Sequence, residues 1–258
     1  MTELTGEVPD LHFEEALDVI ESERAILTTE IEAFEEFLDV VESVTPTSTA
    51  GSRLPPVQSQ TGGTDLFQTL RAGYESSVMA VPHYETEYGE SFETNAHTEF
   101  GPDIATLLTT GRVFEAHHKQ AVIVATEESI EQRRHLLEAI DEEQASLERF
   151  RDPVQSVIDA IRSFDGGTLA SDSPKLLDGY RRRIDVLESR CHDLVDQRQS
   201  EIVGDRRALS LPISGPDLPS YLYTELPVTY PVIAPLTTVL ESAAGIGAAV
   251  TTDQSIRS

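Results

Sequence analysis

Between Asp10 and Ser43 the apolar residues step by three and four: Phe13, Leu17, Ile20, Leu27, Ile31, Phe34, Leu38 and Val41, with one charged seat at Arg24. That spacing gathers them on one stripe of a helix and makes about four heptads. At 1.5 Å per residue the helix would be roughly 50 Å long. The segment holds 12 acids and one base, Arg24 itself, a net of −11, so its other faces carry acids alone. A face so charged does not enter a core; it meets water or a basic partner. Two later segments repeat the pattern. Residues 112–164 carry a stripe of Leu137, Ile140, Leu147, Val154, Val157 and Ile161, and Pro153 should kink or divide that helix near Arg151. A helix opening at Ser173 and Pro174, as N-cap and first residue, carries Leu177, Tyr180, Ile184, Leu187, Cys191 and Leu194, with a charged seat at Arg198.

The fold expected is therefore all-α. Long antiparallel coiled-coil-like helices carry a small helical insert and a Pro/Tyr-rich C-terminal arm. Residues 1–44 form an acidic N-terminal coiled-coil helix, and the Pro/Gly/Ser/Thr-rich stretch 45–63 reads as a flexible linker. Residues 64–111 form a small helical unit around Met79–Tyr84, opening with a helix capped by Thr64 whose one side is Leu66, Phe67, Leu70, Tyr74 and Val78. Residues 112–208 make a helical hairpin. Residues 209–258 make an arm of recurrent prolines with Tyr221, Tyr223 and Tyr230, a short helix near 235–243 and a disordered tail.

Charge excludes several classes. The chain has 46 acids against 19 bases, a net of −27, with 17 arginines and two lysines, Lys119 and Lys175. Nucleic-acid binding through overall charge is disfavoured. Self-repulsion of this size relaxes when salt shortens the Debye length from about 10 Å at 0.1 M to about 3 Å at 1 M. An acid coat with lysine almost absent is the adaptation expected of a halophile's cytoplasm. A single cysteine excludes a disulfide scaffold. No long uncharged apolar run predicts a membrane span, and Met1-Thr2-Glu3 opens no signal peptide, so a cytoplasmic location is expected. Residues 174–208 carry eight bases and seven acids and are the one helical segment that is not acidic. That contrast predicts Arg181, Arg182, Arg183, Arg190 and Arg206 facing acids of the first helix.

The segment Tyr74 to Tyr84, followed by Glu85, Glu87 and Tyr88, and the segment Glu99-Phe100-Gly101-Pro102-Asp103 resemble a haloarchaeal helical family, domain of unknown function 7260. The late Tyr221-Leu222-Tyr223 and Tyr230-Pro231 element fits the same likeness. The resemblance implies a haloarchaeal source and an all-helical fold, and supplies no activity, ligand or catalytic residue.

Several constellations have a functional and a bland reading. Glu115 and His118 share a helix face as in di-iron bundles, but a second such pair is missing, so a solvated pair is expected. Glu93/His97, Glu131/His135 and Glu188/His192 read as surface helix pairs. A metal site across helices from His117, His118 and His135 is the sharper alternative. Cys191, His192 and Asp193 point about 100° apart on a helix, so Cys191 reads as a small core residue and not as a nucleophile. Arg181-Arg182-Arg183 reads as intramolecular pairing. His83, Tyr84 and Tyr88 line a small pocket or pack as a turn under the long helices.

No catalytic, cofactor-binding or metal residue is therefore assigned, and no enzyme, cofactor or small-molecule ligand is expected. The reading reached is a non-enzymatic coiled-coil interaction or structural protein, with a protein partner or self-association through helix seams. The alternative is a DNA-binding regulator using residues 64–112, against which stands that unit's net charge of −6.

Overall fold

In the computed structural model residues 11–47, 61–164, 174–209 and 217–256 are described, and every regular element within them is helical. The order is α1 (Phe13–Ser43), α2 (Thr61–Ser76), a 3-10 turn (Val78–Ala80), α3 (Tyr84–Glu87), α4 (Phe92–Thr110), α5 (Ala116–Arg162), α6 (Pro174–Ala208), α7 (Leu218–Leu222) and α8 (Ile233–Ile256). The chain divides into two compact units, Glu23–Glu138, and Met1–Ser22 with Ala139–Ser258. Helices α1 and α5 contribute residues to both. Of the expected linker 45–63, residues 48–60 lie outside the described residues, as does the expected Ser173 cap, whereas 61–63 already belong to α2, so Thr64 lies inside that helix and does not cap it.

The 23–138 unit is built on aromatics. Tyr74 of α2 lies edge-on to Phe37 (5.0 Å between centroids), Phe92 (5.5 Å) and Phe100 (5.6 Å), and Phe34 meets Phe100 edge-on. Such edge-to-face pairs let the positive ring edge meet the negative ring face. Phe37 stands outside the heptad positions of α1 and is fully buried, as is Ala16, and Ala33 is buried too. The buried stripe of α1 is thus wider than an a/d seam, as in a globular helix. The expected face of α2 is the buried one: Phe67, Leu70 and Tyr74, with Val78 of the following turn.

Helix α4 is broken at Gly101, whose φ of 78° and ψ of 172° belong to a region that essentially only glycine occupies. Pro102 then restarts the helix from a position where its missing N–H costs nothing. The Glu99–Asp103 segment is therefore a built corner. At the end of α1, Lys119 Nζ donates to the carbonyls of Glu42 (2.6 Å) and Val44 (2.9 Å), acceptors left over where a helix stops. One of the chain's two lysines is used where three rotatable donors on a compact ammonium suit two adjacent carbonyls.

In the second unit Leu147, Phe150, Val154, Val157 and Ile158 of α5, Ile184, Leu187 and Cys191 of α6, and Leu236, Val239 and Ala243 of α8 are buried, and α6 packs along α8. Helix α5 is not divided at Pro153. The lost hydrogen bond belongs to the carbonyl of Arg149, whose side chain is exposed, and Phe150, Val154 and Val157 are buried around the proline. Burying three large apolar side chains at about 1.5–3 kcal/mol each outweighs the roughly 3 kcal/mol of an interior proline. The C-terminal region is more helical than expected. Helix α8 extends well past 235–243 and runs to Ile256, through most of the stretch read as a disordered tail. Its alanines favour helix, and Leu236, Val239, Ala243 and Ile246 bury one stripe of it.

Arg182, Arg183, Arg190 and Arg206 of α6 find partners outside α1, where the charge contrast predicted acids of α1. Arg182 pairs with Asp178 of its own helix (2.8 Å), and Arg183 donates to Ser163 (2.9 Å) while lying over the Phe164 ring. Arg190 donates to Ser156, and Arg206 meets Asp217 (3.5 Å). Acids of α1 are met instead from α5: Glu14 by Arg151, Glu30 by Arg133 and Glu35 by Arg134. The contrast in net charge was real, but helix packing decides which side chains can touch.

Candidate functional site

Among the described residues the buried acidic and basic side chains are Glu30, Glu143, Arg198 and Asp217. Each is held by partners within its own unit. In the 23–138 unit, Glu30 Oε1 accepts from the Tyr88 hydroxyl (2.7 Å) and lies 3.0 Å from His83 Nε2, while Oε2 accepts from Arg133 Nε (2.7 Å). A carboxylate only accepts, so the Nε2 of His83 carries the proton. Arg133 turns its two other nitrogens to Glu99 as a fork (3.0 and 2.8 Å), and its plane covers the Phe34 ring at 4.3 Å. Tyr74 donates to Asn95 (2.6 Å), Asn95 to Glu90 (3.3 Å), and Tyr84 to the Glu90 carbonyl (3.2 Å). The space among these groups, about 10 Å³ open to the centre of a water molecule, has room for about one water and for no larger ligand.

Burial pushes the Glu30 pKa up, but the Tyr88 hydroxyl and the Arg133 charge outweigh it and hold the carboxyl below its ordinary range. Burial, then the Glu30 acceptor, drives the Tyr88 phenol well above its own. Burial works against the charged Arg133, and Glu99 and Glu30 more than offset it, so the guanidinium stays charged. These groups are fixed in one protonation state, the opposite of an acid–base pair poised to exchange protons near neutral pH. The His83–Tyr84–Tyr88 motif is thus a turn under the long helices, with His83 and Tyr88 as donors to Glu30.

The second unit repeats the design. Glu143 of α5 accepts from Arg198 of α6 and from the Tyr223 hydroxyl (2.8 Å). Arg198 also donates to Ser146 (2.8 Å), Ser146 to Glu201 (2.7 Å), and Arg149 closes on Glu201 (2.8 Å). Asp217 caps α7 by accepting from the Ser220 amide (3.0 Å) and hydroxyl, and accepts from Tyr230 (3.1 Å). Burial opposes the charged form of Asp217, yet the Ser220 donors keep its pKa low.

The other candidates separate. His117 and His118 adjoin, with ring centroids 3.9 Å apart, but His135 lies about 26 Å further along the same helix at 1.5 Å per residue. His118 Nδ1 accepts from the Glu115 amide (3.2 Å), and His117 lies 3.3 Å from the Glu115 carboxylate, so the Glu115–His118 pair caps the start of α5. Among the described residues no three His, Cys, Asp or Glu side chains are grouped to hold a metal. Glu131 and His135 close to 3.1 Å on the surface, whereas Glu93 pairs with Arg71 (2.9 Å). Cys191 is buried in the α6 core and burial pushes its thiol up to about 11, while His192 and Asp193 face outward. Glu30 and Glu143 went unseen in the sequence, each one acid among many. The charged heptad seat at Arg198 and the paired tyrosines around 221–223 were the visible signals.

The open concavity is of a different kind. Phe100 and Ile104 of α4 and Ala121, Val124 and Ala125 of α5 line a groove of about 560 Å³, with His117, Gln120 and Glu128 along it. Its α5 wall is small side chains at helical spacing, and Val124 is 41% exposed.

This geometry defines an all-α protein of two helical units, each organised around one buried Glu–Arg–Tyr network. The chain belongs to the family described as Domain of unknown function (DUF7260), whose model matches residues 11–245. No curated protein and no solved structure matches it. Among the described residues no helix is long and apolar enough to cross a membrane.

Proposed function

We propose that this protein is a non-enzymatic interaction protein of a salt-rich cytoplasm, which binds a protein partner through the α4–α5 groove. One observation carries the reading: the buried acids and bases among the described residues are engaged by partners, and the α4–α5 groove is lined mainly by apolar side chains. The two ionisable groups along it, His117 and Glu128, stand about 16 Å apart on α5 at 1.5 Å per residue, too far to act as an acid–base pair. A groove floored by Ala121 and Ala125 and walled by Phe100, Ile104 and Val124 instead fits the ridge of a third helix. The acid coat of 46 carboxylates against 19 bases supports the salt-rich setting. The DNA-binding alternative draws little support, because Arg71 of the 64–111 unit is engaged by Glu75 (2.8 Å) and Glu93 (2.9 Å).

A photo-crosslinking residue placed at Gln120, in the host cell at its native salt, tests this. A discrete adduct that disappears with Val124→Asp is expected. A smear indistinguishable from that of an exposed site away from the groove, such as Gln199, would overturn it.

A further inference from the structure

We infer that the occupant of the α4–α5 groove is helix α6 of a second copy of this chain, an assignment that rests on the interaction reading above. Val186 carries it. At 68% exposure it is the most exposed large apolar side chain among the described residues. A single valine in water is ordinary; its surroundings are not. One turn before it stand Arg182 and Arg183, one turn after it Ser189 and Arg190, and two turns away Gly179 and Asp193, all exposed. These seven positions form one face of α6. In a chain with a net charge of −27 this face carries three arginines and one acid.

The groove is the complement. Its floor is apolar and small, Glu128 lies along it, and Asp103 and Glu127 are exposed beside its two walls. Val186 supplies the apolar knob. Arg183 and Arg190 one turn either side, which among the described residues hydrogen-bond serine hydroxyls and pair with no acid of their own chain, supply the bases for those acids, whereas Arg182 is paired with Asp178. Two copies repel through their net charge at low salt. At about 1 M salt the screening length is about 3 Å, so only charges in contact still matter, and those are the arginine–carboxylate pairs. Groove and knob are different surfaces, so the contact is heterologous: it closes as a pair making it twice, or propagates.

The test is sedimentation velocity of the full chain in about 1 M KCl, where screening is short. The wild type is expected to associate with concentration. Val124→Asp, which spoils the groove, and Val186→Asp, which spoils the knob, are each expected to be monomeric with unchanged melting by circular dichroism. An equimolar mixture of the two is expected to re-form complexes, since one supplies an intact knob and the other an intact groove. A monomeric wild type, variants that associate as the wild type does, or a mixture that stays monomeric would each overturn the assignment. A crosslinker at Gln120 should capture residues 182–190 of a second chain. Capture of a different protein sinks the second-copy assignment while leaving the interaction reading standing; no discrete capture at all sinks both.

Discussion

A single guanidinium nitrogen of Arg198, Nη2, sits between both carboxylate oxygens of Glu143, at 2.7 and 2.6 Å, with the two side chains 2% and 0% exposed. This is not the fork in which each nitrogen takes one oxygen. It leaves Nη1 to reach Ser146, so the pair is one link in a chain from Tyr223 through Glu143, Arg198 and Ser146 to Glu201.

Breaking that pair from one side should be severe. Arg198→Leu leaves Glu143 buried with Tyr223 as its remaining donor, and an uncompensated buried charge costs about 3–5 kcal/mol. The double change Arg198→Leu with Glu143→Met removes both charges at similar volume and should recover most of that loss. Denaturant melts of the two variants at one salt concentration decide it. A double variant no more stable than Arg198→Leu alone would mean that packing, and not the stranded carboxylate, sets the cost.

The acid limb of stability should report on Glu30. Its folded pKa is depressed, so its contribution is complete above the ordinary value of 4.5 and is lost as pH falls through the folded one. Tyr88→Phe removes a donor to the charged form and should move acid unfolding to higher pH. It should also cost about 1.5–3 kcal/mol at pH 7, the range for a hydrogen bond to a charged group. Tyr84→Phe, whose hydroxyl serves the Glu90 carbonyl instead, should leave the acid midpoint in place. Equal shifts for both would dissociate Glu30 from the acid limb.

How far this was legible in the sequence varies by element. Helix is written in the spacing of Phe13, Ile20, Leu27, Phe34 and Val41, because burying a stripe on one side is what a 3.6-residue period does. Arg198 could be marked as unusual for the same reason: a charge at a heptad seat needs a partner. Its partner could not be named, since Glu143 is 55 residues away and looks like the acids around it. Helix α8 was underread because threonines and glycines break up its pattern, and its burial against α6 is a tertiary fact. The division of the chain across α1 and α5 was equally hidden, since no composition change marks residues 22–23 or 138–139.

Asp205 gives the opposite pH sign. Burial, and then the nearby Glu143, pushes its pKa up to about 6. A folded value above the unfolded 3.8 means its contribution is whole below pH 3.8 and is lost as pH rises through about 6. Above that the charged carboxylate opposes folding. Asp205→Asn should therefore raise the melting temperature at pH 7 to 8 and lose its advantage below about pH 4, where Asp205 itself is protonated. A variant equally stabilised at both ends of the pH range would assign the gain to something other than this charge.

Lys119 should be the lysine that arginine cannot replace. Its Nζ closes on the carbonyls of Glu42 and Val44, which sit side by side at the end of α1. Lys119→Met strips both of their charged donor and should cost about 1–3 kcal/mol. Lys119→Arg keeps the charge, but its planar fork spreads the donors and fits two adjacent carbonyls poorly, so less than half of the loss should return. Long-range charge effects fade when the Debye length falls to about 3 Å near 1 M salt, whereas contacts at hydrogen-bond distance persist. The ranking of wild type above Arg above Met should thus hold from low to molar KCl in thermal melts. If arginine matched lysine at high salt, the position would need only a positive charge and the cap geometry would be irrelevant.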